Sequence, residues 1–523
     1  MRLRLVGGRE GEDMKCFLPI NLQCMMVGKS TRTRYTRWHL GRFVLLPLYI
    51  SGCAAVGPDY VTPEVTLPGA WSSTLAEGVQ VGQMELRKWW TQFGDPTLSK
   101  LIERSAQGNL DLRAAVSRID EARAELGVVS GTRFPRVDAT ASYTRSRQSE
   151  ESGFDGGTFE NPAAGNEIDT YAARLGAGWE LDLFGRVRRS VQASRANWEA
   201  AAEDYHGVTV ALCSEIADVY VNIRELQRRI AIAEKNLSSQ RKSLNLVRTK
   251  RAAGIAPALD LSQAEANVAS TEARLPQLHA QLRLAINRLS VLLGEHPGAI
   301  QGEVGSPGEI PSPPEKILIS IPADLMRQRP DIRRAERLLA AQTARIGVQT
   351  ADLYPRISLS GFFGFSAQNP GDLIQARSRA FALGPTVAWN IFAGGSIRSA
   401  IEVEDARAQQ ALIAYEHTVL RALEDVDSAL ANYQYERERN TSLRRAVTAF
   451  RQAVGFAEDL YDGGNTDFQN VLDAQRNLLT FEDQLAESDA ARASHLIALY
   501  RAMGGGWETH PDTQKPPNET AKD

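Results

Sequence analysis

The sequence predicts a membrane α/β fold. In it a twelve-stranded β-barrel, built by three chains with four strands from each, continues into a long α-helical coiled-coil tunnel. Three observations carry that prediction. The stretches 186–253 and 396–462 contain no proline and read as helices far longer than a domain is wide. Beside each lies a pair of segments in which apolar and polar residues alternate strictly. The whole arrangement also occurs twice, which marks an internal duplication.

The composition is unexceptional, with 523 residues, 24% charged, 43% hydrophobic and a formal net charge of −3. Nothing in it supplies the basic patch that nucleic-acid binding needs. No run approaches the ~18 apolar residues of a membrane-spanning helix, so any membrane crossing has to be made another way. The chain opens on a signal-like segment: the apolar run FVLLPLYI at 43–50 follows Arg32, Arg34, Arg37 and Arg42 and precedes Ser51-Gly52-Cys53. Small residues before a cysteine resemble a bacterial lipobox, with Ile50 where leucine is commoner. That resemblance implies that Cys53 is acylated and becomes the mature N-terminus, and Ala54 after it favours the outer membrane. Residues 1–52 exceed the usual ~15–30 of a signal, which puts the expected translation start at Met25 or Met26. Cys16 and Cys24 fall in the discarded part, and Cys213 stands alone as a small buried hydrophobe.

Residues 53–94 read as an extended, lipid-anchored segment punctuated by glycine and proline. Asp95-Pro96 is an N-cap followed by proline at the first helical position. The helix it opens passes Leu98, Leu101, Ile102, Leu112, Val116, Ile119 and Leu126 to about Val129, with a break expected at Gly108. After FPR the period changes to two. Val137, Ala139, Ala141 and Tyr143 alternate with Asp138, Thr140, Ser142 and Thr144; beyond a polar loop from 145 to 168, Tyr171, Ala173, Leu175, Ala177, Trp179 and Leu181 alternate with Arg174, Gly176, Gly178 and Glu180. Soluble antiparallel sheets and transmembrane hairpins share that alternation.

The first long helix carries apolar residues at Leu212, Ile216, Val219, Ile223, Leu226, Ile230, Ala233, Leu237, Leu244 and Val247, with one gap at Gln240. This period of 3.5 is a supercoiling seam, and at ~1.5 Å per residue the helix is roughly 100 Å long. The seam is narrow, which predicts that Arg224, Gln227 and the other polar residues between its members face water. The helix ends at Gly254 and Pro257, and a returning helix runs from near Ala258 to Leu293, kinked or divided at Pro276. Residues 295–323, rich in glycine and proline, read as the linker between halves 95–294 and 324–506.

Beyond the linker the order of elements returns. A helix ends in YPR as the first ended in FPR; Ile357, Leu359, Phe363 and Phe365, then Phe381, Leu383, Val387, Trp389 and Ile391, repeat the alternation; the second long helix turns at GGNTDFQNVLDAQ, and the last one stops at GGG. Trp179 and Trp389, Gly254 and Gly464, Asn267 and Asn477, and Gly294 and Gly504 are each 210 positions apart. In each half two shorter helices of about 30 to 37 residues are expected to stack end to end beside the long one. Four strands cannot close a barrel in lipid, where an open edge leaves backbone groups unsatisfied. Three chains give twelve strands and leave room for a passage. Tyr143, Tyr171, Phe363, Phe365 and Phe381 toward the loop ends, with Trp179 and Trp389 toward the helix ends, read as two aromatic girdles.

The duplicated helix–hairpin–helix halves, the FPR and YPR junctions, the lipobox followed by VGPDY, and ELDLFGRVRRS resemble the TolC-type outer-membrane factors, in particular the lipoprotein branch serving resistance-nodulation-division efflux pumps. The resemblance covers residues 53–506. It implies a homotrimer in the outer membrane, a tunnel across the periplasm, and an aperture at the helix-turn tips that opens when a periplasmic adaptor and an inner-membrane transporter dock. It also implies roles for residues. Asp473 matches an aspartate that rings the lumen, Asn470 stands where many members have a second one, and Thr466 where some have an arginine that helps hold the aperture shut. Tyr461 and Asp260 match a tyrosine and an aspartate that link neighbouring helix pairs, and Gly254 and Gly464 mark the tips an adaptor would touch. No catalytic, cofactor or metal constellation is present: the seven histidines are scattered and GGGW reads as a helix stop. Two alternatives stay open at this level. The same fold serves protein secretion, and a trimeric adhesin or envelope scaffold also combines coiled coils with four strands per chain, although such proteins carry their strands together at the C-terminus. Here residues 507–523 are a charged tail expected to be disordered.

Overall fold

The computed structural model describes residues 55–72, 79–82, 86–147 and 167–507. Cys53 and the signal-like segment lie outside the described residues, as does the tail beyond Trp507. In chain order the elements are β1 (Val79–Val81), α1 (Pro96–Gly108), α2 (Leu110–Gly131), β2 (Arg136–Arg147), β3 (Glu167–Leu181), α3 (Arg186–Ala252), α4 (Ala258–Leu292), the short α5 (Gln301–Val304), β4 (Ile317–Ile319), the short α6 (Leu325–Gln328), α7 (Pro330–Thr350), β5 (Arg356–Ala367), β6 (Arg379–Ala388), α8 (Ser396–Asp462) and α9 (Phe468–Ala502). Among the described residues no helix is long and apolar enough to cross a membrane.

Each long helix has 67 residues and is flanked by a shorter helix of 35 residues toward the turn tips. The helix toward the strands is only 22 or 21 residues long, shorter than the sequence suggested. In the first half the break expected at Gly108 falls there: α1 ends at Gly108, and the extended ψ of 130° at Asn109 restarts the chain as α2. The side chain of Asn109 accepts from Leu112 N and donates to the carbonyl of Leu292, the last residue of α4, so α2 and α4 are joined end to end. The same joint recurs in the second half, where Arg329 at the start of α7 donates to the carbonyl of Ala502 at the end of α9. Pro276 lies inside α4 without dividing it.

Helix α3 packs against α2 and α4 and also against α7 and α9, while α8 packs on α7 and α9. The narrow-seam reading of α3 is therefore corrected. The seam residues are buried apart from the half-buried Val219, and so is Gln240 at the gap, but Arg224 and Gln227 are buried as well. They are occupied in holding the interhalf segment, since Arg224 Nη1 donates to Ser306 O and Gln227 Nε2 to Val304 O. That segment also contributes β4, which pairs in parallel with β1 in register Val79 to Ile317. Around the joints the same core continues. Trp89 and Trp90 are fully buried, Trp89 stacks on Tyr500 with ring centroids 5.1 Å apart, and Gly505 lies flat against it. At ~150–250 Å² each and ~25 cal/mol per Å², each indole contributes at most ~4–6 kcal/mol before entropy is subtracted.

The two hairpins form one antiparallel sheet in the order β2-β3-β5-β6. Its register puts Leu175, Phe363 and Phe381 on one row and Tyr143 beside Tyr171 on another, so the apolar residues share a face. On the opposite face Arg174 lies over the ring of Phe362, 5.0 Å from its centroid. Strand β6 is shorter than the alternation suggested, which leaves Trp389 and Ile391 beyond its end. The sheet is open, with β2 and β6 as its two edges.

Candidate functional site: the helix-turn tips and the barrel wall

Both tips are built by one local device. Gly254 and Gly464 take φ of +75° and +73°, a region that costs other residues steric strain. Past each glycine the chain reaches back, Ile255 N to Lys250 O and Asn465 N to Leu460 O, both at 2.8 Å. These are Schellman caps that satisfy the last carbonyls of α3 and α8. The tip of α3 exposes Ile255 and Leu259.

Above the tips the two halves meet through an apolar cluster, in which Leu244, Val247 and Val268 pack with Phe468 and Leu472, and through polar contacts. Tyr461, at the end of α8, donates its hydroxyl to Asp260 Oδ2 on the first turn of α4 at 3.4 Å. Burial raises the pKa of both groups; the nearby Asp467 raises that of Asp260 further, and the Asp260 charge does the same for the phenol. The phenol thus stays a proton donor through the physiological range. Lys250, which sequence reasoning did not single out, reaches across from the last turn of α3. Its ammonium donates to the carbonyls of Tyr461 at 2.6 Å and Asp462 at 3.0 Å and sits 4.5 Å from the Tyr461 ring centroid. A cation there complements the negative end of the α8 dipole, and its position in a last helical turn was the available signal. Farther along, Gln475 on α9 donates to Ser243 on α3, and Arg476 to Asn267 on α4.

The other residues predicted for the aperture are not part of that contact. Asp473 accepts from Gln469 Nε2 at 2.8 Å, and Asn470 donates to Thr466 Oγ1 at 2.6 Å, all four on α9 or just before it and all exposed or half-buried. In the sheet, Tyr143 and Tyr171 are register partners with ring centroids 4.9 Å apart, and Phe363 lies 5.8 Å from Phe365. Trp179 and Trp389 make repeat-related bonds, their indole N–H groups donating to Arg133 O and Leu353 O just before β2 and β5. Cys213 is buried, which pushes its thiol up to about 12. Among the described residues no group of His, Cys, Asp or Glu is placed to hold a metal ion.

Hairpins carried on helices of this length, in a repeated chain with capped tips, define a TolC-like outer-membrane channel. Comparison with known proteins specifies it. The chain belongs to the outer membrane efflux protein family, whose sequence profile matches residues 101–295 and 321–505. It is 32% identical over 476 residues to nodulation protein T of Rhizobium leguminosarum bv. trifolii, covering 91% of this chain and 98% of that one. It is 31% identical to the outer membrane protein OprJ of Pseudomonas aeruginosa, covering 89% and 95%. Among solved structures it resembles the outer-membrane channel OprN, with TM-score 0.80, 39% identity and coverage of 87% and 99%. The family and these neighbours are channel proteins and not enzymes. The protein is an outer-membrane component of an efflux system.

Proposed function

We propose that three copies of this chain close a twelve-stranded duct that passively conducts substrates from a periplasmic adaptor and a resistance-nodulation-division transporter to the exterior. The observation that carries this reading is the open sheet. Strands β2 and β6 each present an unpaired edge, and in lipid such edges must pair with another chain. Helix α8 supports it, because Ile413, Leu420, Tyr435 and Phe456 are exposed there while α2 and α4 expose Val116, Val128 and Leu284. An α8 of one chain seated on α2 and α4 of the next would cover both sets. The acyl group on Cys53 holds each chain to outer-membrane lipid, and the aromatic residues of the sheet form the two girdles.

The adaptor meets the tips around Gly254 and Gly464, where Ile255 and Leu259 offer apolar contact. At rest the contact of Tyr461 with Asp260, with Lys250 beside it, ties the helix pairs together, and opening exchanges these polar contacts and loosens the apolar cluster in which Tyr461 packs with Val247, Val268 and Phe468. Three Asp473 carboxylates around one narrow lumen favour cations through their summed potential. With Asn470 neutral and Thr466 in place of an arginine, the ring and latch are weaker than those of members that carry charges there. Planar-bilayer recording tests this reading. Asp473→Ala should lower cation selectivity and sensitivity to divalent block while the assembly stays intact; unchanged selectivity would remove Asp473 from the aperture.

A further inference from the structure

The residues that follow the lipid-attachment position lie in a seat between α3 and α7, at the height of the strand feet. Arg189, one turn into α3 and only 4% exposed, is its centre. Its Nε donates to Val56 O at 3.1 Å, and its Nη2 to Gly57 O at 3.0 Å and to Ala55 O at 3.5 Å. Its Nη1 is held by Gln192 Oε1 at 3.0 Å and pairs with Asp59 at 2.8 Å. Val56 N in turn donates to the carbonyl of Phe184, between β3 and α3, at 3.0 Å.

The surrounding wall is shaped to admit a backbone. Gly57 takes φ of +86°, and a Cβ on it would stand 2.4 Å from Gly347 Cα on α7. A Cβ on Gly347 would in turn meet Arg189 Cγ at 2.8 Å, and one on Gly185 would meet Ala55 Cβ at 2.4 Å. Side chains are absent where the strap crosses, and a buried guanidinium is present where its carbonyls point. A buried cation is unfavourable unless its donors are used, and here the carbonyls of three successive strap residues use them. Lower down the strap is fixed again, by Tyr60 to Glu336, Trp71 to Ser320 O and Ser72 to Asp427.

We infer that Arg189 is the receptor for the chain's own N-terminus and sets the position of the lipid anchor. The seat stands on the contacts above, whereas what it positions rests on the acylation of Cys53. Only Ala54 separates Cys53 from Ala55, so with ~3.8 Å between successive Cα atoms the anchor starts within about 8 Å of the seat. Detached down to Ser72, the strap would be a tether with a reach of ~55 Å at ~3.3 Å per residue. The seat thus holds the acyl chains and the hairpins at one height in the same bilayer, and it pins the α3–α7 seam where the helical wall meets lipid.

The test follows the strap in full-length protein labelled with palmitate and treated with proteinase K for timed intervals. Release is read both as loss of label from the body of the chain and as the body's mass. Arg189→Met should speed strap cleavage at least tenfold. Arg189→Lys should fall between, because an ammonium has no planar fork for several carbonyls. Gly57→Val, whose clash with Gly347 is relieved when the strap lifts off, should match Arg189→Met without lowering the thermal midpoint of the wall, and Asp59→Ala should stay near wild type because the Asp59 carboxylate is largely in water and the strap carbonyls keep their bonds to Arg189. Cys53→Ser should lose the label yet keep wild-type protection by mass. Wild-type rates in both Arg189→Met and Gly57→Val would overturn the proposal, as would a Cys53→Ser strap as labile as that of Arg189→Met. Label retained on Cys53→Ser would refute the anchor alone.

Discussion

Asp218 sits on α3 with Oδ1 buried and without a hydrogen-bond partner. Burial pushes its carboxyl up from 3.8 to about 6; Ser494 and Arg501 pull the other way, and Glu215 adds slightly to the rise. A carboxyl whose pKa is higher in the folded than in the unfolded state destabilises the fold when ionised. The penalty is absent below the unfolded value, grows between about pH 4 and pH 6, and is constant above. The shift of ~2 units at 1.36 kcal/mol each gives at most ~3 kcal/mol per chain at neutral pH. Asp218→Asn removes the charge and keeps the shape. Thermal unfolding of the detergent-solubilised protein from pH 4 to pH 8 should show the variant equal to wild type at the acid end. It should be more stable by several degrees at pH 7 and above, and taking the difference between the two curves cancels every other titrating group. A difference that does not change with pH, or a less stable variant at pH 8, would refute the assignment of the penalty to Asp218.

Two more outcomes are expected. Gln240→Leu should raise stability by about 1–3 kcal/mol, because the glutamine is buried at the one gap in the α3 seam with both amide atoms unpartnered; a lower thermal midpoint would mean the amide is doing something the leucine cannot. Tyr461→Phe combined with Asp260→Ala should raise the closed-state conductance in planar bilayers, since it removes the 3.4 Å contact between the two halves. Unchanged conductance would place the restraint elsewhere.

The repeat, the long helices and the hairpins were legible because each rests on a period or an offset that local sequence carries. Helix α8 begins at Ser396 and ends at Asp462, between the glycine pairs Gly394-Gly395 and Gly463-Gly464. What was not legible depends on distant partners. Val79 and Ile317 pair across the first half of the chain in strands of three residues, too short for alternation to register. Arg224 and Gln227 look like solvated helix residues until the interhalf segment covers them. The break expected at Gly108 falls at that residue, but the bond of the Asn109 amide to the far end of α4 was not legible, since no window of sequence contains that partner. The tip glycines announced themselves through their spacing, whereas Lys250 showed only its place in a last helical turn, since its acceptors are carbonyls of another helix.

In the proposed duct the open four-stranded sheet is one third of a closed wall. Native mass measurement of the detergent-solubilised protein tests it most directly. The expected particle contains three chains, with chemical cross-links joining α8 of one chain to α2 or α4 of the next. A stable monomer or dimer with intact strands would contradict it.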